Sequence, residues 1–163
     1  MAKVSPGFSS RVVLALRTDS AGTVMSRRVN AFVKSSSLTS VSIALEAEGL
    51  GFESLWAFDH FQTTPEPTDA ITFESFTTLT ALAPATDRVR LGQLVLGAGY
   101  RNPALVAKMA ACLDVVAGGR FDLGIGAGWK EDEYRAYGCP FPPVRERLAM
   151  LEDALEVITR MLA

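Results

Sequence analysis

The fold is decided by the stretch Gly118–Trp129, which reads GGRFDLGIGAGW. Its first two glycines end a helix, because glycine readily takes the left-handed conformation found at helix C-termini. The apolar run Phe121–Ile125 is then a strand, and a glycine-rich turn follows it. A helix that ends in glycine and leads directly into an apolar strand is typical of a β-α repeat with a parallel sheet.

The same alternation continues on both sides of this stretch. The strands are apolar on both faces, which favours parallel strands buried beneath helices on right-handed crossovers. The pattern leaves open a doubly wound sheet and a segment of a β/α barrel. The predicted strands are Val29–Val33, Phe52–Phe58, Val89–Leu96 and Phe121–Ile125, and the predicted helices are Thr39–Leu50, Phe73–Ala83, a helix capped by Asn102 that ends near Ala117, and a last helix through Leu148–Leu162.

The chain divides into two parts by pattern. Residues 1–28 have no clear period, and we interpret them as a poorly defined leader with a candidate short strand at Arg11–Leu16. Residues 29–163 form one domain in which the β-α unit occurs four times. The chain is 163 residues long and 48% hydrophobic, which excludes a disordered protein.

Composition excludes several classes of function. Sixteen Lys and Arg against eighteen Asp and Glu give a net charge of -2, so the chain has no basic surface for nucleic acid. A single histidine and two cysteines exclude a metal site built on several such ligands, and we expect no metal. The apolar run Val12–Leu16 is too short for a signal peptide or a membrane span. We therefore expect a cytoplasmic protein.

Asp59 and His60 are the first candidates for chemistry, because they follow a predicted strand. In both architectures ligands bind at the carboxyl ends of the strands. Neighbouring strand residues point to opposite faces, so at most one of the pair faces the ligand while the other braces it. His60 can exchange a proton near neutral pH, but it can equally cap a loop.

Two glycine-rich turns follow the other strands. Gly126 and Gly128 either allow a ligand to approach the backbone or only make a tight turn. The small residues from Gly97 suit close approach by a flat ring, and Arg101 either pairs with an anionic group or lies on the surface. The acidic run Glu131–Glu133 is expected to be a solvated loop or a helix start.

Four stretches, in this order and spacing, carry a family resemblance: Ala47–Phe61, Thr78–Gly92, Tyr100–Asp114 and Gly118–Tyr137. From about Val41 to Met161 the chain resembles the luciferase-like monooxygenase family, particularly its F420-dependent oxidoreductase branch. The resemblance implies an α/β fold that is the N-terminal half, about four β-α units, of a TIM-type (β/α)8 barrel. A whole barrel has about 250 residues, and the family's strands five to eight are missing.

The resemblance also implies a function. It predicts an oxidoreductase or monooxygenase that transfers hydride to or from a small organic substrate, with coenzyme F420 as cofactor or FMN as the alternative. His60 and Asp59 are then the catalytic residues, with a non-proline cis peptide expected near Val95–Leu96. The implied cofactor-binding residues are Val95, Leu96, Gly97, Gly126, Gly128 and Trp129.

A second hypothesis treats the chain as catalytically incomplete. Four parallel strands leave two unpaired edges, which tend to associate unless they are covered. Such a half-barrel is either a truncated product or a subunit that requires a partner, and the partner is then a second copy in a homodimer or a complementing C-terminal half. The two hypotheses differ in whether the isolated chain binds the cofactor.

Overall fold

The computed structural model describes residues Arg11–Leu14, Asn30–Phe32 and Thr39–Ala163, in which strands alternate with helices. This confirms the predicted α/β class. The strands are β1 (Arg11–Leu14), β2 (Asn30–Phe32), β3 (Ser54–Ala57), β4 (Arg90–Gln93), β5 (Leu96–Gly97) and β6 (Phe121–Gly126). The helices are α1 (Thr39–Gly49), α2 (Ser75–Leu82), α3 (Pro103–Val116), α4 (Glu131–Ala136) and α5 (Val144–Leu162), with a 3-10 turn at Ala83–Ala85.

All the described strands pair in parallel to form one sheet. Strands β2, β3, β4 and β6 lie side by side in chain order, as consecutive strands of a β/α barrel do. Strand β1 pairs with β6, with Val12 opposite Leu123, and the short β5 pairs with the end of β6. The sheet thus includes a strand from the predicted leader, and the division at residue 28 stays a prediction. Residues 15, 16, 29 and 33 of the predicted strands lie outside the described residues.

Helix α3 shows how local sequence defines these elements. The side-chain oxygen of Asn102 accepts from the N–H of Ala104 at 2.9 Å, and Pro103 occupies the first helical position, as predicted. Gly118 and Gly119 follow the helix with positive φ angles of 62° and 81°. The helix packs against α5 over the sheet. The core beneath these helices includes Leu55, Leu91, Leu123 and Ile125 of the strands and Leu79, Val106, Leu113, Leu151 and Ile158 of the helices.

The segment that leads into β4 is held by a buried carboxylate at the amino end of the sheet. Glu48, at the end of α1, accepts hydrogen bonds from the backbone N–H groups of Asp87, Arg88 and Val89, at 2.7 to 3.1 Å. Burial alone would raise the pKa of Glu48, but these hydrogen bonds and the Arg88 charge lower it. The segment entering β4 is therefore fixed to α1, at the end of the sheet opposite the predicted site.

Three features differ from the sequence predictions. The predicted strand Val89–Leu96 is divided into β4 and β5, and the cis peptide lies at Leu94–Val95, one residue before the expected bond. Helix α2 begins later than predicted, at Ser75, because the side chain of Glu74 caps it. Helix α4 begins at Glu131, in agreement with the expected helix start, but Glu133 within it is buried and not solvated. Among the described residues, no helix is both long and apolar enough to span a bilayer.

Candidate active site

The predicted site residues line one cavity at the carboxyl ends of β3, β5 and β6. Its volume is about 530 Å³. Helix α5 closes one side with Val144, Arg147, Leu148 and Leu151. The structure thus brings all eight predicted positions together, while the roles assigned to them stay predictions. These positions are Asp59, His60, Val95, Leu96, Gly97, Gly126, Gly128 and Trp129.

Asp59 is held in a buried ion pair. Its two carboxylate oxygens each accept a hydrogen bond from the guanidinium of Arg101, both at 2.8 Å. Its side chain is 0% exposed, and it also accepts from the Ser75 hydroxyl at 2.8 Å and from the N–H of Gly97 at 3.2 Å. Because the Asp59 side chain is fully buried and accepts from the N–H of Gly97, its carboxylate braces the cavity wall at that residue.

Arg101 is a carboxylate partner and not a surface residue, which decides between the two sequence interpretations. Besides Asp59, its guanidinium donates to the carboxylate of Glu74 at 2.7 Å. Burial would lower the pKa of Arg101, but the hydrogen bonds and charges of the two carboxylates raise it. The pair therefore joins the loop after β3, the start of α2 and the loop after β5.

His60 faces the cavity beside two aromatic rings. Its side chain is 14% exposed, and its Nδ1 lies 2.8 Å from a carboxylate oxygen of Glu133. Trp129 stands edge-on to the imidazole with 5.6 Å between ring centroids, and Phe58 lies at 5.4 Å. Among the described residues, no protein group is hydrogen-bonded to the other ring nitrogen, Nε2. His60 therefore has one nitrogen held by the protein and one available to a ligand.

Glu133 is the site residue that sequence reasoning missed. It lies on α4 with its side chain 0% exposed, and the hydroxyl of Tyr100 donates to it at 2.6 Å. The backbone N–H groups of Phe61 and Gln62 donate to its other oxygen at 2.6 and 3.1 Å. Burial would raise the pKa of Glu133, but hydrogen bonds from His60, Tyr100 and Phe61 lower it. Burial and the neighbouring carboxylate together raise the pKa of Tyr100.

Three glycines at this end of the sheet are packed closely against tyrosine rings. Tyr134 is 1% exposed, and a Cβ atom at Gly128 would collide with its hydroxyl oxygen. A Cβ at Gly99 would lie 2.7 Å from the same ring, and one at Gly97 would lie 2.8 Å from the ring of Tyr100. Gly128 also has a φ of 77°, which favours glycine. The tyrosine rings therefore leave no room for a side chain at these three positions. At Gly97 and Gly128, which line the cavity, the backbone carries no side chain.

Two cations line the cavity near α4 and α5. Lys130 is already bound by the protein, because its ammonium donates to Asp132 at 2.7 Å and to the carbonyl of Pro65 at 3.0 Å. Arg147 donates to the carbonyl of Pro142 at 2.7 Å and lies 4.0 Å above the ring of Phe141. Its Nε is buried without a hydrogen-bond partner, and no carboxylate of the described residues pairs with it. Arg147 is therefore the cation with capacity for an anionic group.

This combination of a parallel sheet, a cavity at its carboxyl edge and a histidine beside glycine turns agrees with the family comparison. The family model described as luciferase-like monooxygenase matches residues 26–163. The chain belongs to that family. This family membership confirms the resemblance inferred from the four sequence stretches.

Individual relatives of the family match only in part. The chain is 40% identical over 119 residues to the F420-dependent glucose-6-phosphate dehydrogenase of Kineococcus radiotolerans, covering 72% of this chain and 35% of that protein. It is 36% identical over 116 residues to the 4-hydroxyprotoasukamycin monooxygenase of Streptomyces nodosus subsp. asukaensis, covering 69% of this chain and 28% of that one. The chain thus spans about a third of the length of the curated relatives that it matches.

A solved structure extends the likeness to the backbone. An F420-dependent secondary alcohol dehydrogenase, in complex with an F420-acetone adduct, superposes with a TM-score of 0.71 at 25% identity. The match covers 83% of this chain and 42% of that chain. The fold prediction, a part of a TIM-type barrel, is therefore confirmed.

Proposed function

We propose that this chain belongs to the oxidoreductases of its family that transfer hydride to or from a small organic substrate, with coenzyme F420 as cofactor and FMN as the alternative. The observation that carries the proposal is the strand-end cavity lined by Gly126, Gly128 and His60, whose Nδ1 is held by Glu133. The preference for F420 rests on the relatives, because several that match this chain are named F420-dependent.

The cavity fits a flat heteroaromatic cofactor. Its volume of about 530 Å³ lies within the roughly 300–1,000 Å³ of small-molecule sites. Leu94, Val95 and Leu96 line one wall, and Gly126 and Gly128 leave the floor without side chains. When bound, such a cofactor supplies the hydride chemistry itself.

The chain's own residues would bind, orient and exclude water. His60 would hold or release a proton at Nε2, within reach of a substrate group in the cavity. Asp59 acts through Arg101 and Gly97 and is a positioning residue in this proposal. Trp129 would shield the imidazole from water. Arg147 would hold an acidic group of the cofactor or substrate, since both candidate cofactors carry phosphate.

Titration of the isolated chain with F420, and separately with FMN, tests the proposal by absorbance and fluorescence. We expect saturable binding of F420, and Leu94→Glu to weaken it about tenfold or more because a charge would be buried against the ring. Leu105→Glu is the matched control, because Leu105 is similarly exposed (53% against 43%) but lies outside the cavity. If neither F420 nor FMN shows saturable binding at high micromolar concentration, the proposal is contradicted.

A second candidate is a half-barrel that works only with a partner. It is favoured by four apolar side chains that line the cavity and remain 41% to 59% exposed, namely Leu94, Trp129, Val144 and Leu148. Either a second copy or a complementing half would cover them. Light scattering over a range of concentrations tests this, because a monomer that melts cooperatively would rule out an obligatory partner.

A further inference from the structure

One buried carboxylate contacts both the ring of His60 and the backbone that follows it. Glu133 Oε2 lies 2.8 Å from His60 Nδ1, and Oε1 accepts from the N–H groups of Phe61 and Gln62 at 2.6 and 3.1 Å. The Tyr100 hydroxyl completes the set at 2.6 Å from Oε2. Four donors thus converge on a side chain that is 0% exposed.

We propose that Glu133 is a positioning residue that fixes His60 as its Nδ1–H tautomer, so that the lone pair of neutral imidazole lies on Nε2 and faces the cavity. An ionised carboxylate only accepts hydrogen bonds, so the Nδ1 atom that meets it carries the proton. The second nitrogen of neutral imidazole is then an acceptor. The inference rests on the proposed function only for what Nε2 does; the tautomer itself is a property of the free chain.

The neighbours of Glu133 keep it ionised. Two of its four partners are backbone N–H groups, which can only donate, and the Tyr100 hydroxyl is placed to donate as well. A protonated carboxyl would leave part of this set unsatisfied in a buried position. The lowered pKa of Glu133, despite burial, agrees with this account.

The imidazole has little freedom to turn away from Glu133. Trp129 lies against it edge-on and Phe58 packs at 5.4 Å, while the N–H of Phe61, the next residue, is bound by the same carboxylate. A half-turn of the ring would place a carbon atom against Glu133 Oε2 and lose the 2.8 Å hydrogen bond. Ring orientation and proton position are therefore both set by one side chain.

Nitrogen NMR of the free chain tests the inference without ambiguity of assignment, because His60 is the only histidine. Two-bond proton–nitrogen spectra distinguish the two neutral tautomers. We expect Nδ1–H in the wild type and loss of that signature in Glu133→Gln, because the amide group can donate to Nδ1 and favours Nε2–H. Glu131→Gln is the matched control, since Glu131 is an exposed glutamate on the same helix, paired with Arg135.

Several outcomes would overturn the inference. The inference is overturned if His60 of the wild type is in the Nε2–H form. It is also overturned if a folded Glu133→Gln variant keeps the Nδ1–H form. Should Glu133→Gln fail to fold, Glu133→Asp takes its place: retention of Nδ1–H supports a carboxylate that sets the tautomer, and Nε2–H contradicts it. Failure of the proposed function would be seen in a different measurement: the chain would not bind the cofactor, although His60 would still be in the Nδ1–H form.

Discussion

Glu48 and Glu133 are buried glutamates at opposite ends of one sheet, and they differ in what they hold. Glu48 lies at the amino ends of the strands and binds three backbone N–H groups of the segment 87–89. Glu133 lies at the carboxyl ends and binds two backbone N–H groups together with the side chains of His60 and Tyr100. Hydrogen bonds lower the pKa of both carboxylates against the opposing effect of burial.

The difference shows that a buried, hydrogen-bonded glutamate can either stabilise the chain or also orient a functional side chain. The backbone amides that Glu48 binds do not titrate near neutral pH, so its contacts stabilise the chain and direct no proton transfer. An imidazole can exchange protons, so the contacts of Glu133 also determine which atom does so. This agrees with the general division of β/α barrels, in which the amino end serves stability and the carboxyl end serves function.

Loss of the Glu48 carboxylate should have the largest effect on stability. Glu48→Ala leaves three backbone N–H groups without their acceptor, and we expect the free energy of unfolding to fall by about 2 kcal/mol. Urea unfolding measures this, with Glu46→Ala as the control because Glu46 is an exposed glutamate on the same helix.

The same variant sharpens the comparison with Glu133. Glu48→Ala should leave the tautomer of His60 unchanged, since its contacts lie at the other end of the sheet. A Glu48→Ala protein as stable as the wild type, or one with an altered His60 signature, would break the proposed division between the two ends.

Lowering the pH should also reduce the contribution of Glu48 to the free energy of unfolding, by less than removal of the carboxylate does. The pKa of Glu48 in the folded chain lies below its ordinary value of 4.5, because the hydrogen bonds from residues 87–89 outweigh burial. Its contribution is therefore complete above about 4.5 and is lost as the pH falls through the lower, folded value. The stability difference between the wild type and Glu48→Gln should be constant near neutral pH and should narrow below 4.5.

Urea unfolding at a series of pH values on both sides of 4.5 checks this expectation. Glu46→Gln should be indistinguishable from the wild type throughout. A difference for Glu48→Gln that is the same in acid as at neutral pH would mean that the charge of Glu48 does not contribute.

The positions of the candidate site could be predicted because they follow from the β-α period. Once Phe52–Phe58, Val89–Leu96 and Phe121–Ile125 are identified as parallel strands, their carboxyl ends coincide in space. His60 and Gly126 were therefore placed together although they are 66 positions apart in the sequence. The exact end of a strand is less predictable, and the predicted strand Val89–Leu96 is in fact two strands. The cis peptide, which only the family resemblance implied, lies at Leu94–Val95, next to the expected bond.

Glu133 could not be predicted, because three adjacent carboxylates look alike in a sequence. Helix α4 has six residues, too few for a hydrophobic period to reveal its buried side. One signal was present: Glu131 and Arg135 stand four apart with opposite charges and form an exposed ion pair. Glu133, midway between them, lies on the opposite face of the helix, beside the buried Tyr134.

The Tyr100 hydroxyl should have the smallest effect on the Glu133 cluster. Tyr100→Phe removes one of four donors to Glu133 but keeps the ring, which stacks on Tyr134 at 4.1 Å between centroids. We expect the free energy of unfolding to fall by about 1 kcal/mol, as for the loss of a single hydrogen bond. Tyr137→Phe is the control, because its hydroxyl makes a 3.2 Å hydrogen bond to the carbonyl of Phe61 in an exposed position.

The tautomer of His60 in Tyr100→Phe is the sharper measurement. If the charge of Glu133 sets the tautomer, the Nδ1–H form persists, because two backbone N–H groups still stabilise the ionised carboxylate. A switch to Nε2–H would mean instead that the tyrosine hydroxyl keeps Glu133 ionised. The charge of Glu133 would then depend on a side-chain donor. The charge of Glu48, at the amino end of the sheet, would still depend on backbone amides, so the two carboxylates would be stabilised in different ways.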